Sequence, residues 1–387
     1  MNNARPLIAL SVLMALLLSG CGGKSSSASV SSAPGPFAIA VTPQDGAKAV
    51  KADQKVTVTA TGGALSEVRV TDGDGSELVG ELDPQHTSWT ASAPVKVGSH
   101  YEVQAWGTGS DHKQVTQTSR FSTEEANHST TLQATTVLPK DGSTVGVAQP
   151  IVVGFDQPVA NRTIVQAALQ VTTTPHVAGA WYWIDTQTVD YRPQQFWPTG
   201  TRVTLNARIN KIKAGSGVIG GASKTSSFTV GRNQVLQVDT KAHKMVVLRD
   251  GRRVKSFDVT TGKAGWETRN GTEVMTERVG RKHWTNDQID APETYSLHSK
   301  YAIRITDSGE FVHDAPWATG TIGDANTSHG CIGLKPSDAK WVWQNSMLGD
   351  PVVVTGSDKS GQEIYNRYDD WNIDWATWSK GNANQQA

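Results

Sequence analysis

The stretch "NTSHGCIGLKP", Asn326 to Pro336, sets Ser328, His329, Gly330 and Cys331 in succession in a chain whose other cysteine is Cys21. A thiol attacks as its thiolate, and a free cysteine with a pKa near ~8.5 is mostly protonated at neutral pH. A nearby imidazole can take that proton and hold the thiolate as an ion pair. Two histidines are candidates: His329, two residues before the cysteine, and His313, at the end of the strand-like run "GEFVH". Alternate side chains of an extended strand share a face, but Gly330 between His329 and Cys331 predicts a turn in which the two diverge. If "SHGC" returns beside the end of "GEFVH", His313 faces the sulfur instead. Spacing alone leaves both histidines open.

Glycine before the cysteine also frees the backbone to aim consecutive amides at one spot, the arrangement that stabilises a tetrahedral oxyanion. The donors in question are the amides of His329, Gly330 and Cys331. The competing chemistry is a metal site, because Cys331, His329 and His313, with Asp314 or Asp324, are all zinc-ligand types. None of the paired spacings Cys-x-x-Cys or His-x3-His accompanies them, so no metal and no cofactor is expected. A buried apolar cysteine is the plainer alternative.

These residues need a scaffold, and 387 residues allow two to four domains. Lys and Arg total 36 against 36 Asp and Glu, so no long-range field draws in nucleic acid. At the N-terminus, Arg5 precedes an apolar run from Leu7 to Leu18 that is too short to span a bilayer and has the layout of a secretory signal. Its end, "LSGC", resembles a bacterial lipobox rather than an ordinary signal-peptidase site. That resemblance implies export, lipidation of Cys21 and an anchor on the outer face of the cytoplasmic membrane. Residues 1–21 are then the signal, and 22–36, "GGKSSSASVSSAPGP", a flexible tether. With Cys21 modified, Cys331 has no intramolecular partner and is either a reactive thiol or half of an intermolecular bridge.

Residues 37–123 read as short alternating strands with turn signals: "KVTVTATG", "EVRVTDGDGSELVGEL", "SHYEVQAWG" and "SRFSTE". They predict a small β-sandwich of immunoglobulin-like type. Residues 124–232 repeat the plan. "VTPQDGAKAV" returns as "VLPKDGSTVG", Trp89 has a counterpart in Tyr191, and "VGSHYEVQA" returns as "TGTRVTLNA", which predicts a second copy with insertions. Its aromatics, "WYWID" and "YRPQQFWP", are either core or a sugar-stacking platform, and core is the commoner use in a sandwich. From 233 to 357 a strand meander with an "RDGR" hairpin leads to a polar, non-periodic segment, Val279 to Tyr295, whose length predicts a lid or a binding loop. After Pro336, Ala339, Val342, Trp343, Ser346 and Met347 share a face at helical spacing, with Gly349 as the stop. Residues 358–387 hold Trp371, Trp375 and Trp378 at i, i+4 and i+7, which predicts an extension that folds back on the preceding domains.

"FVHDAPW" followed by "TSHGCIGLKPSDAKW" resembles the L,D-transpeptidases of bacterial cell-wall synthesis, with their YkuD-type catalytic domain. The likeness runs from about Asn233 to the C-terminus. The two sandwiches, the lipobox and the tail "DWNIDWATWSKGNA" are similar to the mycobacterial-type, actinobacterial members. The resemblance implies a mainly β architecture: two immunoglobulin-like sandwiches, a β-rich catalytic domain with a short helix, and a Trp-rich extension. It implies Cys331 as nucleophile, His313 as general base oriented by the Asp314 backbone carbonyl, His329 and Gly330 framing the oxyanion site, and Ser328 supporting the loop. Tyr295, Gly333, Trp317, Trp284 and Thr327 are the residues it sets against substrate.

The implied reaction takes a peptidoglycan tetrapeptide stem as donor, releases D-Ala, and passes the acyl group to the side-chain amine of diaminopimelate in a neighbouring stem. Carbapenem β-lactams are implied as inhibitors. Water as acceptor would make an L,D-carboxypeptidase or a plain cysteine hydrolase, and a catalytically weak wall-binding lipoprotein is the reading from another class. Gly333 favours the last, since many members carry Asn or Arg there.

Overall fold

The computed structural model describes residues 36–125, 130–359, 366 and 368–384. Cys21 and the apolar leader lie outside the described residues. No described helix is long and apolar enough to cross a membrane. The chain is mainly β, as expected, with α-helices only at Arg162–Ala167, Pro336–Asn345 and Trp375–Lys380 among the described residues.

In the first sandwich one sheet runs Ala38–Thr42, Thr57–Thr61, Ser88–Ala91, Gly80–Leu82, and the other Gly63–Asp72, His100–Gly109, Gln114–Ser122. Strand His100–Gly109 shows the cause. Tyr101, Val103 and Ala105 are buried at every second position and Glu102 and Gln104 stay accessible, the alternation a half-buried strand requires. The second sandwich has the same order in its first sheet: Ala134–Leu138, Ile151–Phe155, Thr188–Pro193, Gly179–Trp183. Trp89 and Tyr191 both lie on the third strand of that order, so the internal repeat read from the sequence is one topology used twice. The insertions are helix Arg162–Ala167 and a small sheet of Lys213–Gly215, Val218–Gly220 and Thr130–Leu132. At six residues that helix is too short to show periodicity, although Asn161 caps it through Oδ1 to the Ile164 amide.

The aromatics of the second sandwich do not form an open sugar platform. Trp183 lies in the core, Trp181 packs edge-on to Tyr191 at 5.1 Å, and Tyr182 is covered by Trp378 at 5.1 Å. The C-terminal extension supplies that cover. Arg192 lies beneath Trp371, Trp375 and Trp378, 4.9, 5.5 and 4.5 Å from their ring centres, and donates to the Asp370 and Ile373 carbonyls. Burial pulls its pKa down to about 10, which still leaves it a cation at neutral pH. Asn382 pairs with both backbone groups of Trp183, while Asn372 does the same for Thr272 in strand Gly271–Val274. The extension therefore ties an edge of the second sandwich to an edge of the following domain.

That domain packs two sheets around one core. The first runs Arg252–Asp258, Lys244–Arg249, Gln234–Asp239, Pro351–Thr355, Gly271–Val274, and the second Glu277–Thr285, Ser296–Arg304, Phe311–Asp314, Ile332–Leu334. Leu236, Val247, Val312, Ile332, Val352 and the helix residues Ala339 and Val342 meet between them. Helix Pro336–Asn345 ends before Ser346, so Gly349 is not its stop. Gly349 instead faces Gly146 of the second sandwich, where a Cβ would lie 2.8 Å from the Gly146 nitrogen. Backbone bonds from Gly146 to Leu348 O (2.7 Å) and Ala148 to Gly349 O (2.9 Å) cross that contact. Two glycines allow this approach because neither carries a side chain to hold the backbones apart.

The polar segment is only partly a loop. Its first half forms strand Glu277–Thr285, paired with Ser296–Arg304 through register shifts at Arg278/Gly280 and Gly280/Lys282. Each bulge resets the period of two, which is why the sequence shows no alternation there. The turn between these strands, 286–295, with a short 3-10 piece at Asn286–Gln288, is the part that stays outside the strands.

Candidate active site

Strands Phe311–Asp314 and Ile332–Leu334 run parallel, with His313 opposite Gly333. The pairing brings the end of "GEFVH" beside the segment that follows Cys331. His313 and Cys331 both line a cavity of about 740 Å³, along with Trp284, Tyr295, Trp317, Thr327, Ser328, His329 and Gly333. All five residues set against substrate by the resemblance thus reach one cavity.

His313 is 4% exposed. Its Nδ1 lies 2.7 Å from the Asp314 carbonyl oxygen. A carbonyl only accepts, so Nδ1 carries the proton and Nε2 is the free lone pair. Trp317 stacks on the ring at 5.7 Å and Trp284 leans on it at 4.7 Å, with Trp284 fixed through its Nε1 to Ser299 Oγ at 3.0 Å. Burial lowers the His313 pKa from its ordinary value of 6.5, and the Asp314 contact only partly opposes it.

Cys331 is half-buried, with Sγ 3.7 Å from the Gly309 carbonyl oxygen. Burial pushes its pKa up to about 12, and the negative charge of Glu310 adds to that; the Phe311 backbone N–H on the sulfur, Lys282 and Arg304 oppose it. Burial thus favours the uncharged form of both the thiol and the imidazole and works against the ion pair expected from the sequence.

Gly330 has φ +116°, a conformation that L side chains rarely adopt. The turn is held on both sides. Thr268 Oγ1 donates to the Gly330 carbonyl (2.7 Å) and accepts the Gly262 amide (2.9 Å), while Ser328 Oγ donates to the Cys331 carbonyl (2.7 Å) and accepts the Gly330 amide (3.2 Å). The Gly330 amide is thus taken, which removes it from the oxyanion donors expected and leaves the amides of His329 and Cys331 from that set.

His329 faces the 286–295 turn. Its Nε2 lies 3.1 Å from Glu293 Oε2, and its ring stacks with Tyr295 at 5.5 Å. Glu293 also pairs with Lys263, and the hydrogen bonds from Lys263 and His329 pull its pKa down to about 2. Asp314 turns its carboxylate to the amides of Lys300 and Tyr301, at 2.7 and 2.9 Å. The set considered for zinc thus points in several directions, and no cluster of three such ligands occurs among the described residues. His283 stacks on His298 at 4.4 Å and does not line the cavity.

Residues that sequence reasoning passed over hold this geometry. Asn326 Oδ1 accepts from the Thr261 amide and hydroxyl, and its Nδ2 donates to Thr240 O. Thr260 Oγ1 lies 3.0 Å from the Thr327 amide and 2.8 Å from Ala325 O. A buried threonine among many strand threonines carries no distinguishing signal; Asn326 at least stands within the quoted motif.

Thr260 also explains Gly333. Their backbones exchange hydrogen bonds of 3.0 and 2.8 Å, and a Cβ on Gly333 would lie 2.9 Å from Thr260 Cγ2 and 3.1 Å from Ala315 Cβ. Gly333→Asn is expected to destabilise the protein by about 1–3 kcal/mol through overpacking. Adding Thr260→Ser, which removes Cγ2 and keeps Oγ1, should recover most of that loss. Urea midpoints of the single and double variants check this, and a double variant no more stable than the single one would refute it.

Fold and site together define the class: a β-rich domain that opens a cavity on a buried histidine and a free cysteine, carried behind tandem immunoglobulin-like sandwiches. The family model for the YkuD L,D-transpeptidase catalytic domain matches residues 233–354, and that for a bacterial Ig domain matches 47–213. The chain is 32% identical over 360 residues to L,D-transpeptidase 2 of Mycobacterium tuberculosis, covering 90% of this chain and 87% of that protein. It is 31% identical over 377 residues to L,D-transpeptidase 5 of the same species, covering 95% and 82%. A solved L,D-transpeptidase in complex with imipenem is 30% identical and covers 58% of this chain and 99% of its own, with a TM-score of 0.51. The chain belongs to the L,D-transpeptidase family.

Proposed function

We propose that the protein forms third-to-third cross-links in peptidoglycan from an anchor on the outer face of the cytoplasmic membrane. The observation that carries this reading is His313, with Nδ1 pinned to the Asp314 carbonyl, lining the same cavity as Cys331. The Cys331 thiol gives its proton to His313 Nε2 as Sγ attacks the carbonyl of the third stem residue. The amides of His329 and Cys331 receive the oxyanion. Collapse expels the amine of D-Ala, which takes the proton from His313, and leaves a thioester. The diaminopimelate amine of a neighbouring stem then attacks the thioester, passes its proton to His313, and frees the thiol. With water in its place the product is the trimmed stem. A carbapenem presents a strained carbonyl to the same sulfur, and the imipenem complex of a relative supports that reading.

Intact mass during incubation with a disaccharide tetrapeptide tests the reaction. A transient adduct with D-Ala release and cross-linked dimer is expected, whereas adduct and release without dimer would make the protein a carboxypeptidase. No adduct and no release from folded protein would favour a wall-binding role. The anchor rests on "LSGC" at Cys21. Cys21→Ala is expected to move the protein from the membrane to the soluble exported fraction, and an unchanged partition would remove the lipid from the account.

A further inference from the structure

Two cations line the cavity close to the thiol. Lys282 and Arg304 hold their charges over the ring of Phe311, 5.3 and 4.6 Å from its centre. Phe311 is the residue whose backbone N–H meets the Cys331 sulfur, and both cations act on that sulfur electrostatically. Lys282 also lies 4.8 Å over Trp284, the ring that leans on His313. It forms no ion pair among the described residues, and its one polar contact is Gln288 Oε1 at 3.5 Å. Arg304 uses Nε on Glu277 (3.2 Å) and Nη1 on the Thr306 carbonyl (3.2 Å). Against these two, the cavity lining offers a single carboxylate, Asp307.

Half-buried cations on an aromatic wall, of which Lys282 has no ion-pair partner among the described residues and Arg304 shares the more exposed Glu277, favour a ligand that brings its own negative charge. A stem peptide cleaved one residue from its end carries such a charge within a few bonds of the attacked carbonyl. We propose that Lys282 and Arg304 bind the free carboxylate of the terminal residue that leaves, and so select donors that end one residue beyond the attacked carbonyl. The inference rests on the transpeptidase reading and adds to it the residues that read the donor's end. In a longer stem the same position is a neutral amide, which gives the pair no charge to hold. A carboxylate on the side chain of the third residue is the other source of the same chemistry.

The test uses three synthetic tetrapeptide donors: the free acid, its C-terminal amide, and a form amidated only on the third side chain. Acyl-enzyme formation is followed for wild type, Lys282→Gln, Lys282→Arg and Arg304→Gln. Wild type is expected to favour the free acid over the C-terminal amide by about 10–100-fold in kcat/KM, the scale of a lost charged hydrogen-bond partner. In Lys282→Gln and Arg304→Gln that ratio should fall toward one, and Lys282→Arg should retain most of it. Equal wild-type rates for acid and C-terminal amide would overturn the assignment, as would a ratio that survives in both glutamine variants. Discrimination against the third-residue amide alone would transfer the pair to that carboxylate and overturn the stated role. No acyl-enzyme from any donor, in protein whose Cys331 still reacts with iodoacetamide, would sink the transpeptidase reading and this inference together.

Discussion

Cys331→Ser is expected to lose D-Ala release and the thioester adduct by about 10⁴-fold or more, the scale reached when a nucleophile that acts with its base is removed. The substitution changes one atom at a half-buried position whose sulfur meets the Gly309 carbonyl and the Phe311 amide. The loop itself is held by Ser328, Thr268 and Asn326, so the fold should persist, as circular dichroism will show. A hydroxyl in this environment is harder still to deprotonate than the thiol, and the one remaining described cysteine position is gone. Release of D-Ala at an undiminished rate would place the chemistry elsewhere.

His313→Gln is expected to lower the rate of Cys331 acylation by about 10²–10⁴-fold, the usual contribution of a positioned general base. The pH profile gives the sharper test, and its sign follows from the two shifts. Burial lowers the His313 pKa below 6.5 and raises that of Cys331 to about 12, so burial favours the uncharged form of each near neutrality, the pairing that is competent for transfer. Wild-type activity should fall only when acid protonates His313, giving an acid limb below the ordinary imidazole value. In His313→Gln that limb should vanish. Alkylation of free wild-type enzyme by iodoacetamide should climb with pH through 7 to 9, where an ion pair would give a plateau. A plateau would restore the ion pair, and an acid limb that survives in His313→Gln would assign it to another group, with His329 the first to examine.

Much of the fold was legible because strands record burial locally. Val56 and Val58, at period two, are both in the first core, and the repeated order of strands follows the repeated sequence. The hairpin at Asp250 and Gly251 joins Lys244–Arg249 to Arg252–Asp258, with both turn residues at positive φ, as the dipeptide predicts. Strand Glu277–Thr285 was not legible, since its bulges at Gly280 break the alternation that would have revealed it. Helix Arg162–Ala167 was too short to register. Gly349 was misread for a different reason: a glycine before a strand looks like a helix stop, while its actual neighbour, Gly146, is some two hundred residues away.

By itself the sequence determined most of the element types, the tandem sandwiches and the short motif that holds Ser328, His329, Gly330 and Cys331, because those depend on neighbours along the chain. Tertiary structure decided the rest. It set His313 on the Asp314 carbonyl and turned His329 to Glu293. It occupied the Gly330 amide, packed Thr260 where a side chain at 333 would go, and brought Lys282 and Arg304 to the thiol from separate strands. Charge state and fit depend on burial and on atoms a few ångströms apart in space, and most of those partners, Glu293, Thr260, Lys282 and Arg304 among them, lie tens of residues from the groups they meet, where no local pattern records them.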